Sequence, residues 1–154
     1  MRIRSATTED IDALLALLLQ VHEVHAKARP DLFGYGARKY ERPELEKLLK
    51  QDNFYILVAE HEGKVIGHCF AEREITTLEG PASAGTLYID DLCVDEHARG
   101  TGAGKALMEA ARELGRDLGC YNLTLSVWRG NESARAFYEH LGLIEQKRYL
   151  EEIL

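Results

Sequence analysis

Apolar residues follow two rhythms along the chain, and the switches between them predict its elements. After a short strand-like run, RIRSA at residues 2–6, apolar Ile11, Leu14, Leu15, Leu18 and Val21 recur three and four apart, one face of a helix. Thr7 or Thr8 precedes that stripe as an N-cap, since a hydroxyl there accepts from the unpaired N–H groups of the first turn. The stripe fades at ARPDLFGYG, where Pro30, Gly34 and Gly36 predict an irregular loop. Pro43 suits the first turn of a second helix, roughly Pro43 to Lys50. FYILVAE and KVIGHCFAERE then read as strands joined through His61, Glu62 and Gly63, the spacing of a hairpin. A loop is expected from Thr76 to Gly85, followed by a third long strand, TLYIDDLCV. The helical rhythm returns in Ala103, Ala106, Leu107, Ala110, Ala111, Leu114 and Leu118, a helix that Gly119 stops. A strand YNLTLSVW, a helix ESARAFYEHL stopped by Gly142, and a last strand IEQKRYLEEIL complete the expectation. An antiparallel first half feeding alternating strands and helices is an α/β sandwich, in which ligands favour the carboxyl ends of strands.

Composition narrows the classes. The 154 residues suit one domain spanning 1–154, and 45% hydrophobic with 29% charged residues is the balance of a soluble globular chain. A net charge of −7 argues against nucleic acid as the main partner. Cys69, Cys93 and Cys120 are odd in number and sit in or beside apolar runs, so they read as reduced core residues of a cytoplasmic protein. The run ALLALLL follows the acidic TTEDID and falls short of the ~20 residues that span a bilayer, so neither a signal peptide nor a membrane span is expected.

The chemistry concentrates in VDEHARGTGAGKAL, with glycine at 100, 102 and 104. A Walker loop would need glycine at position 99 and serine or threonine at 106, where the chain has Arg99 and Ala106. A dinucleotide fingerprint from Gly100 meets Lys105 where glycine or alanine is required. What remains is a strand, a glycine turn and a helix N-terminus. Its free N–H groups and helix dipole suit a pyrophosphate, although a tight turn with an N-cap fits the spacing as well.

Arg99–Gly100–Thr101–Gly102–Ala103–Gly104 matches an R/Q-x-x-G-x-G/A signature, and NESARAFYEHLG follows at the right distance. With the order of elements, the chain resembles the GNAT superfamily of N-acetyltransferases over nearly its whole length. The resemblance implies one domain with a mixed, mostly antiparallel central sheet flanked by helices, and some likeness to diamine acetyltransferases. It implies acetyl-CoA as co-substrate, its pyrophosphate on the backbone of Arg99, Gly100, Thr101, Gly102, Ala103, Gly104 and Lys105. The pantetheine arm would lie where a bulge splays two strands, against Leu92, Cys93 and Val94, with Asn131, Ser133 and Ala134 beside it. Tyr138 matches the tyrosine that many members use as general acid to the sulfur.

Direct transfer to a primary amine needs a base for the ammonium, a donor for the developing oxyanion and a proton for the thiolate. The Val94 N–H is the expected oxyanion donor. Adjacent Asp90 and Asp91 in an apolar strand require either one carboxylate facing inward or an irregular strand. By likeness to diamine acetyltransferases, Asp90 is the expected base and Asp91 the anchor for the substrate ammonium. Glu72 and Glu74 are further candidates, Asp31 adds charge to the pocket loop, and Phe33 and Tyr35 are placed to line the acceptor pocket. His22 and His25 read as a solvated helix face rather than metal ligands, and no metal is expected. Cys93 reads as packing.

The expected acceptor is a small cationic amine, polyamine-like or an amino sugar. A protein N-terminus, a non-catalytic acyl-CoA-binding regulator and a nucleotide-binding module are the alternatives. Only twelve residues follow Gly142 and they hold no turn residue, so a single last strand would leave an edge for a second chain, and a homodimer is expected.

Overall fold

The computed structural model describes residues 1–75 and 79–154, which form a five-stranded sheet in the order β1-β2-β3-β4-β5. The strands are β1 (Arg2–Ser5), β2 (Phe54–His61), β3 (Lys64–Glu74), β4 (Thr86–Val94) and β5 (Asn122–Leu125). Their pairing is antiparallel from β1 to β4, and β5 joins β4 in parallel. The helices are α1 (Ile11–Ala28), α2 (Arg42–Leu48), α3 (Ala103–Asp117) and α4 (Glu132–His140). The expected mixed, mostly antiparallel α/β sheet flanked by helices is what forms. Part of the loop expected from Thr76 to Gly85 lies outside the described residues; its described end turns through a 3-10 segment at Gly80–Ala84.

Local chemistry explains most boundaries. Thr7 and Asp10 close a capping box before α1, and the Arg4 guanidinium beside Asp10 holds that carboxyl below its usual range. The β2–β3 hairpin turns on Glu62 and Gly63, both at positive φ. Two cores sit on opposite faces of the sheet. Leu14, Leu18, Leu45, Phe54 and Phe70 pack under α1 and α2, while Leu87, Ile89, Leu107 and Ala111 pack under α3.

Two expected strands are corrected. YNLTLSVW pairs only over Asn122–Leu125, because β4 turns away after Ile89 and offers no further ladder. IEQKRYLEEIL forms no strand: residues 144–154 run unpaired among the described residues, with Ile144, Tyr149, Leu150 and Leu154 facing solvent. Edge pairing needs a partner strand at the right distance, and this segment meets none among the described residues. A salt bridge from Arg29 to Glu151 ties it to the end of α1.

Candidate active site

The register of β3 against β4 shifts between Phe70 and Ala71, so β4 carries an extra residue, and that residue is Asp90. The bulge reverses the phase of the strand. Leu87 and Ile89 face α3, whereas Asp91 bonds His68 and the Cys93 thiol donates to the Leu17 carbonyl of α1. Asp90 meets Tyr40, which stacks on Phe70 of the α1 side, so two successive carboxylates share one face. An ordinary strand would have separated them.

Beyond Ile89 the strands part, and β4 from Asp90 to Val94 keeps β3 but loses β5. The Asp95 N–H donates to the Ile66 carbonyl at 2.8 Å, which makes Val94–Gly67 a non-hydrogen-bonded pair of the antiparallel ladder. By the same alternation Val94 and Leu92 turn their N–H groups away from β3 into the gap, while the Cys93 backbone pairs with His68. The expected contribution of the Cys93 backbone to the gap is therefore corrected; that of Leu92 and Val94 fits. The Cys93 thiol is pushed up to about 12 by burial, which fits packing and not nucleophilic work.

At the end of β4 the glycine segment forms an open cradle. Gly100 and Gly102 hold φ of +78° and +86°, Gly102 is the N-cap of α3, and nothing lies within 4 Å of where a Cβ on Gly102 would stand. Gly104 differs: a Cβ there would stand 3.1 Å from the Phe137 ring of α4, so this glycine lets two helices approach. Arg99, Thr101 and Lys105 are exposed around the cradle and Ala103 is buried beneath it. Gln20 of α1 donates to Asp95 at 3.0 Å and accepts from the Glu96 N–H at 3.1 Å, tying the approach to the cradle onto that helix.

A cleft of about 480 Å³, including its open mouth, continues from the gap. Its walls include His25, Asp90, Asp91, Trp128, Asn131, Ala134 and Tyr138. Asn131 caps α4 through the Ala134 N–H, with its Oδ1 also accepting from Ser133, whose side chain stays outside the cleft. Burial raises the Tyr138 hydroxyl well above its ordinary pKa, so the phenol keeps its proton through the neutral range. The chain thus presents backbone donors for a phosphate chain, a slot between strands, and a protonated phenol facing carboxylates.

Residues 18–143 match the model of the acetyltransferase (GNAT) family. The chain belongs to this family. It is 33% identical over 151 residues to YhfO, an uncharacterized N-acetyltransferase of Bacillus subtilis, covering 97% of this chain and 94% of that one. A mutant of the BH1408 protein from Bacillus halodurans superposes with a TM-score of 0.92 at 33% identity, over 100% of this chain and 99% of that one. A glucosamine 6-phosphate N-acetyltransferase of Trypanosoma brucei brucei is 32% identical over 88 residues, 57% of this chain and 56% of its own. The chain is an acyltransferase of the GNAT type, whose co-substrate is acetyl-CoA, and the cradle and gap just described fit that molecule.

On this GNAT scaffold several expected positions are corrected. Phe33 packs against His25 and Trp128, both lining the cleft, with centroids 5.4 Å away in each case. Tyr35 is 66% exposed and stands outside. His22 and His25 do not form a solvated face: His22 bonds the Gly34 carbonyl at 2.9 Å, and His25 is half-buried in the cleft wall, its pKa lowered by burial. No metal-binding group of three or more such side chains occurs among the described residues.

The expected acidic funnel is also smaller than its sequence count. Asp31 pairs with Arg29, Glu72 accepts from Asn53 at 3.1 Å outside the cleft, and Glu74 is exposed at the far end of β3. Asp90 accepts from Lys39 Nζ at 2.9 Å and from the Tyr40 hydroxyl at 2.7 Å. Asp91 is 7% exposed, and its partner is His68, which is fully buried. Sequence reasoning missed Lys39, Tyr40, His68 and Trp128. Only His68 carried a signal, a titratable residue inside the apolar run KVIGHCFA.

Proposed function

We propose that the protein acetylates one amine of a small cationic acceptor with a ring or apolar body, of the amino-sugar kind. The observation that carries this is the composition of the cleft: it is lined by one carboxylate without a cationic partner, Asp91, and by the aromatic face of Trp128, whose ring packs on Phe33. A polyamine would call for several unpaired carboxylates, yet Asp31 and Asp90 already carry cations. The likeness to a glucosamine 6-phosphate N-acetyltransferase supports the same class.

When bound, acetyl-CoA supplies a thioester carbonyl open to nucleophilic attack. The backbone from Arg99 to Lys105 receives the pyrophosphate, with Gly102 allowing the closest approach. Leu92 and Val94 hold the pantetheine arm in the gap, and Asn131 and Ala134 close it from α4. Asp91 removes a proton from the substrate ammonium, so the nitrogen gains its nucleophilic lone pair. The Val94 N–H meets the oxygen on which negative charge develops. As the C–N bond forms and the C–S bond breaks, Tyr138 donates its phenolic proton to the departing sulfur. The nitrogen sheds its second proton, which reprotonates Tyr138 through solvent, and Asp91 releases the first to solvent. Asp90, held by Lys39 and Tyr40, shapes the floor of the cleft instead of serving as the base.

Thiol release from acetyl-CoA, measured on glucosamine, glucosamine 6-phosphate, an aminoglycoside, spermidine and a peptide N-terminus, tests this directly. The highest kcat/KM is expected on an amino sugar. A preference for spermidine overturns the acceptor class, and acetyl-CoA binding with no thiol release on any amine favours the non-catalytic regulator.

Partner and compartment follow from two other features. The outer edge of β5 has no strand partner among the described residues, and residues 144–154 expose Ile144, Tyr149 and Leu150 at 90%, 96% and 87%. Apolar surface of that kind marks an interaction site, and the segment of a second copy fits the β5 edge, giving a homodimer. Light scattering should give twice the chain mass, and ending the chain at Gly142 should halve it. The three free cysteines support a reducing, cytoplasmic setting, and no described helix is long and apolar enough to cross a membrane.

A further inference from the structure

The one buried polar pair in the described core that touches the cleft is His68 with Asp91. His68 is 0% exposed on β3, two residues from Phe70, whose ring lies 4.6 Å from its own. Its Nε2 bonds the Asp91 Oδ2, and its Nδ1 has no partner among the described residues. A hydrogen on Nδ1 would be a buried donor with no acceptor, whereas a bare Nδ1 leaves only a lone pair there. The Nε2–H tautomer therefore fits, donating to the Asp91 carboxyl group. Apolar residues of the same volume usually stabilise a core as well as a buried polar pair does. A merely structural role is therefore a weak reason for this pair.

Asp91 has two oxygens and His68 occupies one, so the other is left for the cleft that Asp91 lines. We propose that His68 is a positioning residue of acetyl transfer: its Nε2–H holds the Asp91 carboxylate in one orientation, so that the free oxygen takes the proton of the substrate ammonium. This rests on the cleft being the acceptor site. The groups that face the pair are Cys93 and the Lys39–Asp90 ion pair, Cys69 on β3, His25 of α1, Tyr40 of the connecting loop and Tyr138 of α4. Both thiols are pushed up to about 12 and both phenols are raised, so none of these four titrates near neutrality. His25 is the neighbour that must be separated from Asp91 in any pH profile.

The experiment measures kcat/KM against pH with one acceptor for the wild type, H68Q, H68F and, as control, H25Q. Gln presents an N–H near the position of Nε2; Phe keeps the bulk without a donor. H68F is expected to lose about 10²-fold or more in kcat/KM, with the acidic limb of the profile moved to higher pH, because a carboxylate that has lost a hydrogen-bond donor holds its proton more tightly. H68Q is expected within about tenfold of wild type with its limb restored, and H25Q should leave the limb in place. An unmoved limb in a folded H68F, or H68Q no better than H68F, overturns the proposal.

Ring ¹⁵N shifts of the wild-type protein test it without any variant. The neutral Nε2–H tautomer is expected for His68 at pH 7, and an imidazolium or an Nδ1–H tautomer overturns it even if H68F does not fold. A wild type that acetylates no amine defeats the functional reading alone, since the ring shifts still report the His68–Asp91 pair.

Discussion

The two ends of the sheet are built differently. Through β2, β3 and β4 the strands are long, antiparallel and covered on both faces, and Leu14, Leu18, Leu45 and Phe70 are wholly buried against them. From β5 onward the chain is thin: β5 has four half-buried residues, α4 has no buried residue, and residues 144–154 touch little. The first region holds itself together by apolar burial. The second leaves a gap toward β4 on one side of β5 and, on the other, an edge with no strand partner among the described residues. The proposed site sits at the seam, where β4 leaves β5 and the Asp90 bulge turns two carboxylates to one face.

The contrast can be broken most sharply at Tyr138. Phe in its place removes one oxygen and leaves the packing, so kcat should fall by about 10²–10⁴-fold with KM little changed and the melting temperature held. Unchanged turnover would make Tyr138 part of the scaffold. Next in size is the stability difference between the regions. Phe70→Ala empties a fully buried ring site and should cost about 3–5 kcal/mol in urea unfolding. Phe137→Ala, on the thin side and half-buried, should cost about 1–2 kcal/mol. Equal costs would erase the distinction.

A smaller effect separates two glycines two residues apart. Gly102→Val forces a branched residue into a left-handed conformation at about 1–2 kcal/mol and obstructs the cradle, so acetyl-CoA affinity by calorimetry should fall about tenfold or more. Gly104→Ala presses on Phe137 instead and should lower the melting temperature more than the affinity. The reverse pattern would misplace the cradle.

The smallest effect belongs to His25. Burial lowers its folded pKa from 6.5, so the unfolded chain binds the proton first. Its share of stability is complete above about 6.5 and is lost as pH falls below that value. His25→Gln should flatten this part of the curve, by at most about 2–4 °C in melting temperature. A steeper acid loss in the variant would contradict the sign.

Much of this was legible in order along the chain. Stripe spacing located α1 and α3, Glu62–Gly63 located the hairpin, and the run from Arg99 to Gly104 located the cradle, because each depends on neighbours within a few residues. The last strand failed for the same reason: alternation shows that a segment can pair, but not that an edge lies within its reach.

What the chain determined by itself was the set of elements, the family signature and the residues able to do chemistry. Tertiary structure decided which of them act together. Asp90 and Asp91 look equivalent side by side, yet one received Lys39 and Tyr40 and the other His68, from residues 51, 50 and 23 positions away. Glu72, Asp31 and Tyr35 looked like pocket residues and were turned to other partners or to solvent. Secondary structure follows from local sterics and periodicity. A carboxylate's role follows from its burial and its hydrogen-bond donors, and those arrive from distant parts of the chain only when the sheet closes over them.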